Sequence, residues 1–440
     1  MWETNLKFLV LGKGVNHVMS IIDELLKDIP VPKMMKVKQT FDNEQLDNVD
    51  QALAEALQQD EIRKTVKPGM EIAVAVGSRG VDQIVEVTAR TIKFLQDLGA
   101  KPFIVPSMGS HGGASAEGQT AVLAHLGVTE ESANCEIRSS MEVVEIGKLE
   151  NGLPVYIDKY ASEADGIVVI NRVKPHTAFR GTVESGIMKM IAIGLGKQKG
   201  AEACHQLGFE HMGKHIIQMS TMILEKMPVL FGVATVENAF DKVAHVEVLL
   251  PHEIETRETE LQKLAKKLLP KINFKEIDVL IIDEIGKNIS GDGMDPNITG
   301  RYPTPYAHGG PEVNKMVVLD LTHETEGNAN GVGTADFTTQ RLIDKTDWDA
   351  TYANGLTSTV VAPTKAATTL ANERLALKAA IKTCNILDFT TVKMVRIKNT
   401  LELSVIEVSE ALVNEVENNE YLTKVSELYE LTFDDEGNLA

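Results

Sequence analysis

Basic surface charge, cysteine, aromatic rings and long apolar runs are all scarce in this chain, and each shortage removes a class of function. The 440 residues carry a formal charge of -19. Nucleic-acid binding depends on a basic face that displaces condensed counterions, so no nucleic-acid partner is expected. The same charge means that an anionic ligand must be held by local cations against an unfavourable overall field. The three cysteines, Cys135, Cys204 and Cys384, are far apart and match no zinc or disulfide spacing, so a reduced, cytoplasmic setting is expected. Aromatics make up 5% of the residues beside 16 methionines, which predicts an aliphatic interior patched with Met. The apolar patch Leu6-Lys7-Phe8-Leu9-Val10-Leu11 is too short to span a bilayer and has no small-residue cleavage site. No membrane partner is expected.

What the chain does have is length and a regular alternation. Its length suits two domains better than one core. Residues 1 to about 70 read as an opening segment, with helical apolar spacing at Ile21 to Leu26 and Val49 to Leu57. From Glu71 the order is strand, polar-glycine turn, helix. Strands are predicted at Glu71 to Val76, Lys101 to Pro106 and Gly166 to Asn171, with helices over 81–98 and 115–126. This is the βαβ pattern of a parallel sheet. Further strands are predicted at 141–146, 229–236 and 244–250, and a charged helix from Ile254 to Leu269 ends at Pro270.

A second series starts at Asp278, with strands at 316–321, 391–397 and 403–408 and helices at 335–345 and 366–383. The acidic tail from Glu410 reads as surface helix. The expectation is therefore an α/β fold of two domains, 1–270 and 271–440, with mainly parallel sheets and a ligand cleft between them.

The chemistry is concentrated between Asn171 and His205. Three histidines, His111, His176 and His205, fall on turns at what would be one edge of the sheet, where loops and helix N-termini converge on ligands. Imidazole exchanges protons near neutral pH and also ligates nickel, copper or zinc. Singly, each is a common loop residue. Lys189 follows the small pair Ser185-Gly186 on an apolar run, which would partly desolvate its amine and make it nucleophilic, unless it is merely snorkelling. The helix start at Ser185-Gly186 also favours an anion. Gly194 to Gly200 invites a phosphate-loop reading but lacks the Walker ending, and is better read as a flexible turn whose amides or lysines contact phosphate. Arg79, after Ser78 on the first turn, is a natural carboxylate clamp. The polar-glycine loops 286–297 and 327–336 are dense enough to be functional.

At these residues the chain resembles the lactate racemase family, the nickel-pincer-nucleotide-dependent 2-hydroxyacid racemases and epimerases. The anchors are Ser78-Arg79, Gly109-Ser110-His111, Pro175-His176, Ser185-Gly186-Ile187-Met188-Lys189 and His205, the last sixteen positions after the lysine. The resemblance implies a role for each. Lys189 would join the cofactor through a thioamide, helped by Ser78, Ser185 and Gly186, and His205 would bind nickel. His111 and His176 would be the paired acid and base, and Arg79 would orient the substrate. It implies hydride transfer from C2 to the pincer nucleotide through a 2-keto acid, and a partnership with cofactor-biosynthesis enzymes. Two departures stand out. The interval from His176 to Lys189 is longer by a few residues, at Arg180 to Glu184, and the family's C-terminal Tyr-Gln-x-x-Lys is replaced by Gly286-Lys287-Asn288. Asn288, Asp292, Asp295, Asn297 and Arg301 would suit a larger hydroxylated substrate such as a sugar acid. Two other readings compete: a zinc hydrolase with the three histidines as ligands, and a ligand-binding homologue without turnover.

Overall fold

The computed structural model describes residues 20–77 and 81–440. The patch Leu6 to Leu11 and the segment Ser78-Arg79-Gly80 lie outside the described residues. Two large sheets organise the rest. The first has five strands in the order Lys101–Pro106, Glu71–Val76, Gly166–Arg172, Val229–Glu237 and Val243–Leu249. Its first four strands are parallel and the last is antiparallel.

These strands are apolar at consecutive positions because helices cover both faces. Ala73, Ala75, Ile167 and Val169 point into one core cluster. Ile72, Val74, Val76, Val168 and Ile170 point into the other. Period-two side-chain direction thus divides one run of sequence between two cores.

The second sheet has eight strands in the order Thr368–Leu370, Phe337–Thr339, Glu312–Leu321, Glu276–Ile285, Met394–Ile397, Val405–Ser409, Met34–Gln39 and Leu422–Lys424. The first five run parallel and the remaining pairings are antiparallel. The α/β class with mainly parallel sheets holds. Met34–Gln39, from the opening segment, pairs with Val405–Ser409, so a single cut at residue 270 does not separate the two sheets. Among the described residues no helix is long and apolar enough to cross a membrane.

Several elements differ from expectation. The 141–146 strand is Val143–Lys148, and it forms a separate hairpin with Pro154–Asp158. The helix expected over 335–345 begins only at Gln340, because Phe337–Thr339 joins the sheet and the Thr339 hydroxyl caps the helix by accepting from Leu342 N. Asn372 does the same for Glu373–Thr383, after the strand Thr368–Leu370. A side-chain cap after β-branched residues marks the boundary that apolar spacing blurs. The tail from Glu410 has a 3-10 turn, Glu410–Leu412, and a short α-helix, Val413–Glu417, and then returns to the sheet edge as Leu422–Lys424.

Candidate functional site

Parallel pairing of Glu71–Val76 with both Lys101–Pro106 and Gly166–Arg172 sets three turns side by side at the carboxyl edge of the five-stranded sheet. Ser78 and Arg79, which belong to the first turn, lie outside the described residues. The other two turns carry His111 and His176, whereas Lys189 and His205 lie on the helices that follow, so His205 is not the turn residue expected from the sequence.

His176 and His205 come together around phenylalanines. The His176 ring lies 4.4 Å from Phe179 and 6.3 Å from Phe209, and the His205 ring lies 5.4 Å from the same Phe209. His176 Nδ1 accepts a hydrogen bond from Ala178 N at 3.0 Å, so the neutral ring carries its proton on Nε2. Burial, with Lys189, His205, Lys174 and Arg180 nearby, holds its pKa well below the ordinary value. His205 ends the helix Lys197–His205. Burial, reinforced by the charge of Lys189, lowers its pKa to about 4. The Ala201 carbonyl one turn back pulls the other way, but not at hydrogen-bonding geometry, and Nδ1 stays buried without a partner. Both imidazoles are therefore neutral at physiological pH, the form that accepts protons and ligates metals.

Lys189 is half-buried at the end of the short helix Ile187–Lys189. The chain continues as a π-helical turn, Met190–Gly194, closed by Leu195 N donating to Met190 O at 2.9 Å. Its field reaches both His176 and His205. His111 is exposed, on a turn whose backbone is anchored to this segment by Gly109 N donating to Gly194 O at 3.3 Å.

Two anion sites expected from sequence are used otherwise. At the helix start after Gly186, the carboxylate of Glu258 accepts from Met188 N at 2.9 Å. A Cβ on Gly186 would lie 2.6 Å from that carboxylate, so this glycine makes room for Glu258. Glu258 is fully buried, and burial raises its pKa to about 7 against the pull of the Met188 and Ile187 amides. The sequence did carry a signal for it: Glu258 sits on the apolar stripe Ile254, Leu261, Ala265, Leu268 of its helix, where a charge needs a reason. Gly194 to Gly200 is likewise no free phosphate loop. Gly194 packs on the Ser107 carbonyl, Gly196 on the Ala192 carbonyl, and Lys197 is buried in an ion pair.

The polar groups of the C-terminal loops are also engaged within the protein. Asn288 Oδ1 accepts from Thr322 Oγ1 at 2.7 Å. Asp292 Oδ1 accepts from Asn330 Nδ2 at 3.4 Å, and Asp295 Oδ1 from Asn297 Nδ2 at 2.8 Å. Arg301 pairs with Asp336 at 2.8 Å.

Arg180, from the segment that lengthens the His176-to-Lys189 interval, joins the two halves. Its guanidinium donates to His176 O (2.7 Å), His308 O (2.9 Å), Asn297 Oδ1 (2.6 Å) and Tyr302 Oη (2.8 Å). It also pairs with buried Glu184, which Lys266 holds from the other side at 2.5 Å. Glu184 in turn accepts from His176 N at 2.8 Å. Arg180→Ala should cost about 2 kcal/mol and speed hydrogen exchange across 176–180 and 297–308. Lysine should not restore protection, because a point charge cannot serve a planar fork. Unchanged exchange in the alanine variant would show that the fork does not hold these segments.

Among the described residues no three His, Cys, Asp or Glu side chains converge to hold a metal ion, so the three-histidine zinc reading finds no site. Residues 17–216 match the family model of the lactate racemase N-terminal domain. Matching solved structures include the lactate racemase apoprotein from Thermoanaerobacterium thermosaccharolyticum, at 14% identity and a TM-score of 0.46, over 77% of this chain and 87% of that one. No curated protein matches.

Proposed function

From the premise that residues 17–216 belong to the lactate racemase N-terminal domain family, we propose that this protein is an isomerase that racemises or epimerises a 2-hydroxyacid at C2 with a nickel-pincer nucleotide. The observation that carries this reading is the meeting of His176 and His205 on Phe209, within the field of Lys189.

The residues present fit the group in part. His205 is a half-buried neutral imidazole whose buried Nδ1 has no hydrogen-bond partner, and such a nitrogen would suit a nickel ion. Lys189, half-buried on the same segment, would hold the nucleotide, with Ser185 and Gly186 just before it and Ser78 from the first turn. The helix-start amides beyond Gly186 are not part of that cradle, since Glu258 takes them. When bound, the nickel-pincer nucleotide supplies an acceptor and donor for the hydrogen at C2.

The chain's own residues do the rest. Arg79 would neutralise the substrate carboxylate with its two-pronged guanidinium. His111 and His176 would move the hydroxyl proton on and off the substrate oxygen, one serving each enantiomer. In its resting tautomer His176 presents Nε2–H, which would hydrogen-bond the substrate oxygen, and it would return a proton to that oxygen only from its imidazolium form. The buried Phe179 and Phe209 rings, packed on the two imidazoles, would limit water around them.

The test is metal analysis with intact mass on protein made together with the cofactor-biosynthesis enzymes. Stoichiometric nickel and a mass adduct mapping to Lys189 are expected. Lys189→Ala and His205→Ala should each lose nickel, whereas His111→Ala and His176→Ala should keep it. Nickel retention by the His205 variant would remove the ligand assignment.

A further inference from the structure

Lys197 stands out as a buried lysine that the proposed chemistry does not use. Its side chain is fully buried, as is that of Asp158, its ion-pair partner at 3.3 Å. It donates to Pro106 O, the last carbonyl of the strand before the His111 turn, and to Gln119 Oε1 at 3.1 Å. Its own φ is +53°, a left-handed conformation that an L side chain rarely adopts. Strain and the desolvation of two charges together argue against a purely stabilising role, because a buried pair rarely outperforms apolar residues of the same volume.

The geometric product of the arrangement is the orientation of one amide. An ammonium donates and cannot accept, so Lys197 can face only the oxygen of Gln119. That turns Gln119 Nε2 toward the His111 turn, where it donates to Gly109 O at 2.8 Å and to His111 O at 3.3 Å. The turn is pinned at both ends of the three-residue stretch Gly109 to His111 by one side chain whose direction Lys197 decides. Gly109 also packs against Ile193 and Ala201, the second of these on the helix that begins at Lys197 and ends at His205. Lys197 therefore stands at the joint between the turn carrying His111 and the helix carrying His205.

We propose that Lys197 is a positioning residue, which orders the His111 turn by orienting Gln119 and so sets His111 relative to His205. The functional half of this inference rests on the reading of His111 as an acid/base group.

The test uses the full-length protein and compares Lys197→Met/Asp158→Asn with Gln119→Glu. The double variant removes both buried charges at once, and its Asn keeps the oxygen that accepts from Ala161 N. The Glu variant still faces Lys197 but has no N–H to donate. Backbone hydrogen exchange in the cofactor-free protein should rise at least ~10-fold over 109–114 in both variants, and stay native in the strands 101–106 and 166–172. In the nickel-loaded enzyme kcat should fall by about the same factor with KM unchanged, because the substrate still binds while one proton carrier is misplaced. Native exchange over 109–114 in the double variant would overturn the proposal. So would an equal rise throughout the sheet, which would make the pair merely structural. If local exchange rises but native loaded protein turns over no 2-hydroxyacid, the role of His111 fails and the ordering of its turn stands.

Discussion

Glu258→Gln should make the protein more stable than the native chain by about 3 kcal/mol at pH 9, with the difference vanishing near pH 4. The direction follows from which state holds the proton. In the folded protein burial keeps the Glu258 carboxyl protonated up to about pH 7, whereas the ordinary glutamate value is 4.5. Between these values the unfolded chain has already released a proton that the folded chain retains. Stability from this group is therefore complete below pH 4.5 and lost as pH rises through 7. Glutamine carries no such proton, and its carbonyl can still accept from Met188 N. No side-chain charge contributes to the Glu258 shift, which comes from burial against two backbone amides, so the effect belongs to this group alone. Urea unfolding at several pH values measures it. A difference that stays constant from pH 4 to pH 9 would mean that Glu258 titrates normally.

His176→Asn should lower turnover by roughly 10²- to 10⁴-fold, the usual contribution of a positioned proton carrier. Asparagine is the informative replacement. Its Oδ1 falls near the place of Nδ1 and can keep the bond from Ala178 N, so the turn should survive. What disappears is Nε2, the atom assigned to the substrate hydroxyl. The measurement is turnover across a panel of 2-hydroxyacids with the nickel-loaded variant, beside its nickel content and melting temperature. Retention of more than about a tenth of native turnover, with nickel in place, would show that His176 does not carry the proton.

Much of this site could be read before any fold was known, and the reason is periodicity. Buried parallel strands are continuous apolar runs, and the turns leaving them must collect on one edge, so His111 and His176 could be assigned to neighbouring turns and Lys189 to the helix start that follows, whereas His205, expected on a turn, ends a helix. Short strands were lost where they abut helices, as at Phe337–Thr339 and Thr368–Leu370, because three residues carry too little pattern to compete with the helix that follows. Met34–Gln39 was lost for another reason. Its partners lie more than 360 residues away, and nothing local records that pairing.

The chain alone determined its α/β class, its mainly parallel first sheet and the identity of the residues crowded between Asn171 and His205. Those properties depend on composition and on contacts close in sequence. Only the tertiary structure decided what the glycines and charges there do. It gave the helix start after Gly186 to Glu258, turned Lys197 from a phosphate contact into a buried partner of Asp158, and spent Arg180 on joining the halves. Each of those outcomes depends on which distant group fills a space or claims a hydrogen bond, and such competition is settled only when the chain has folded.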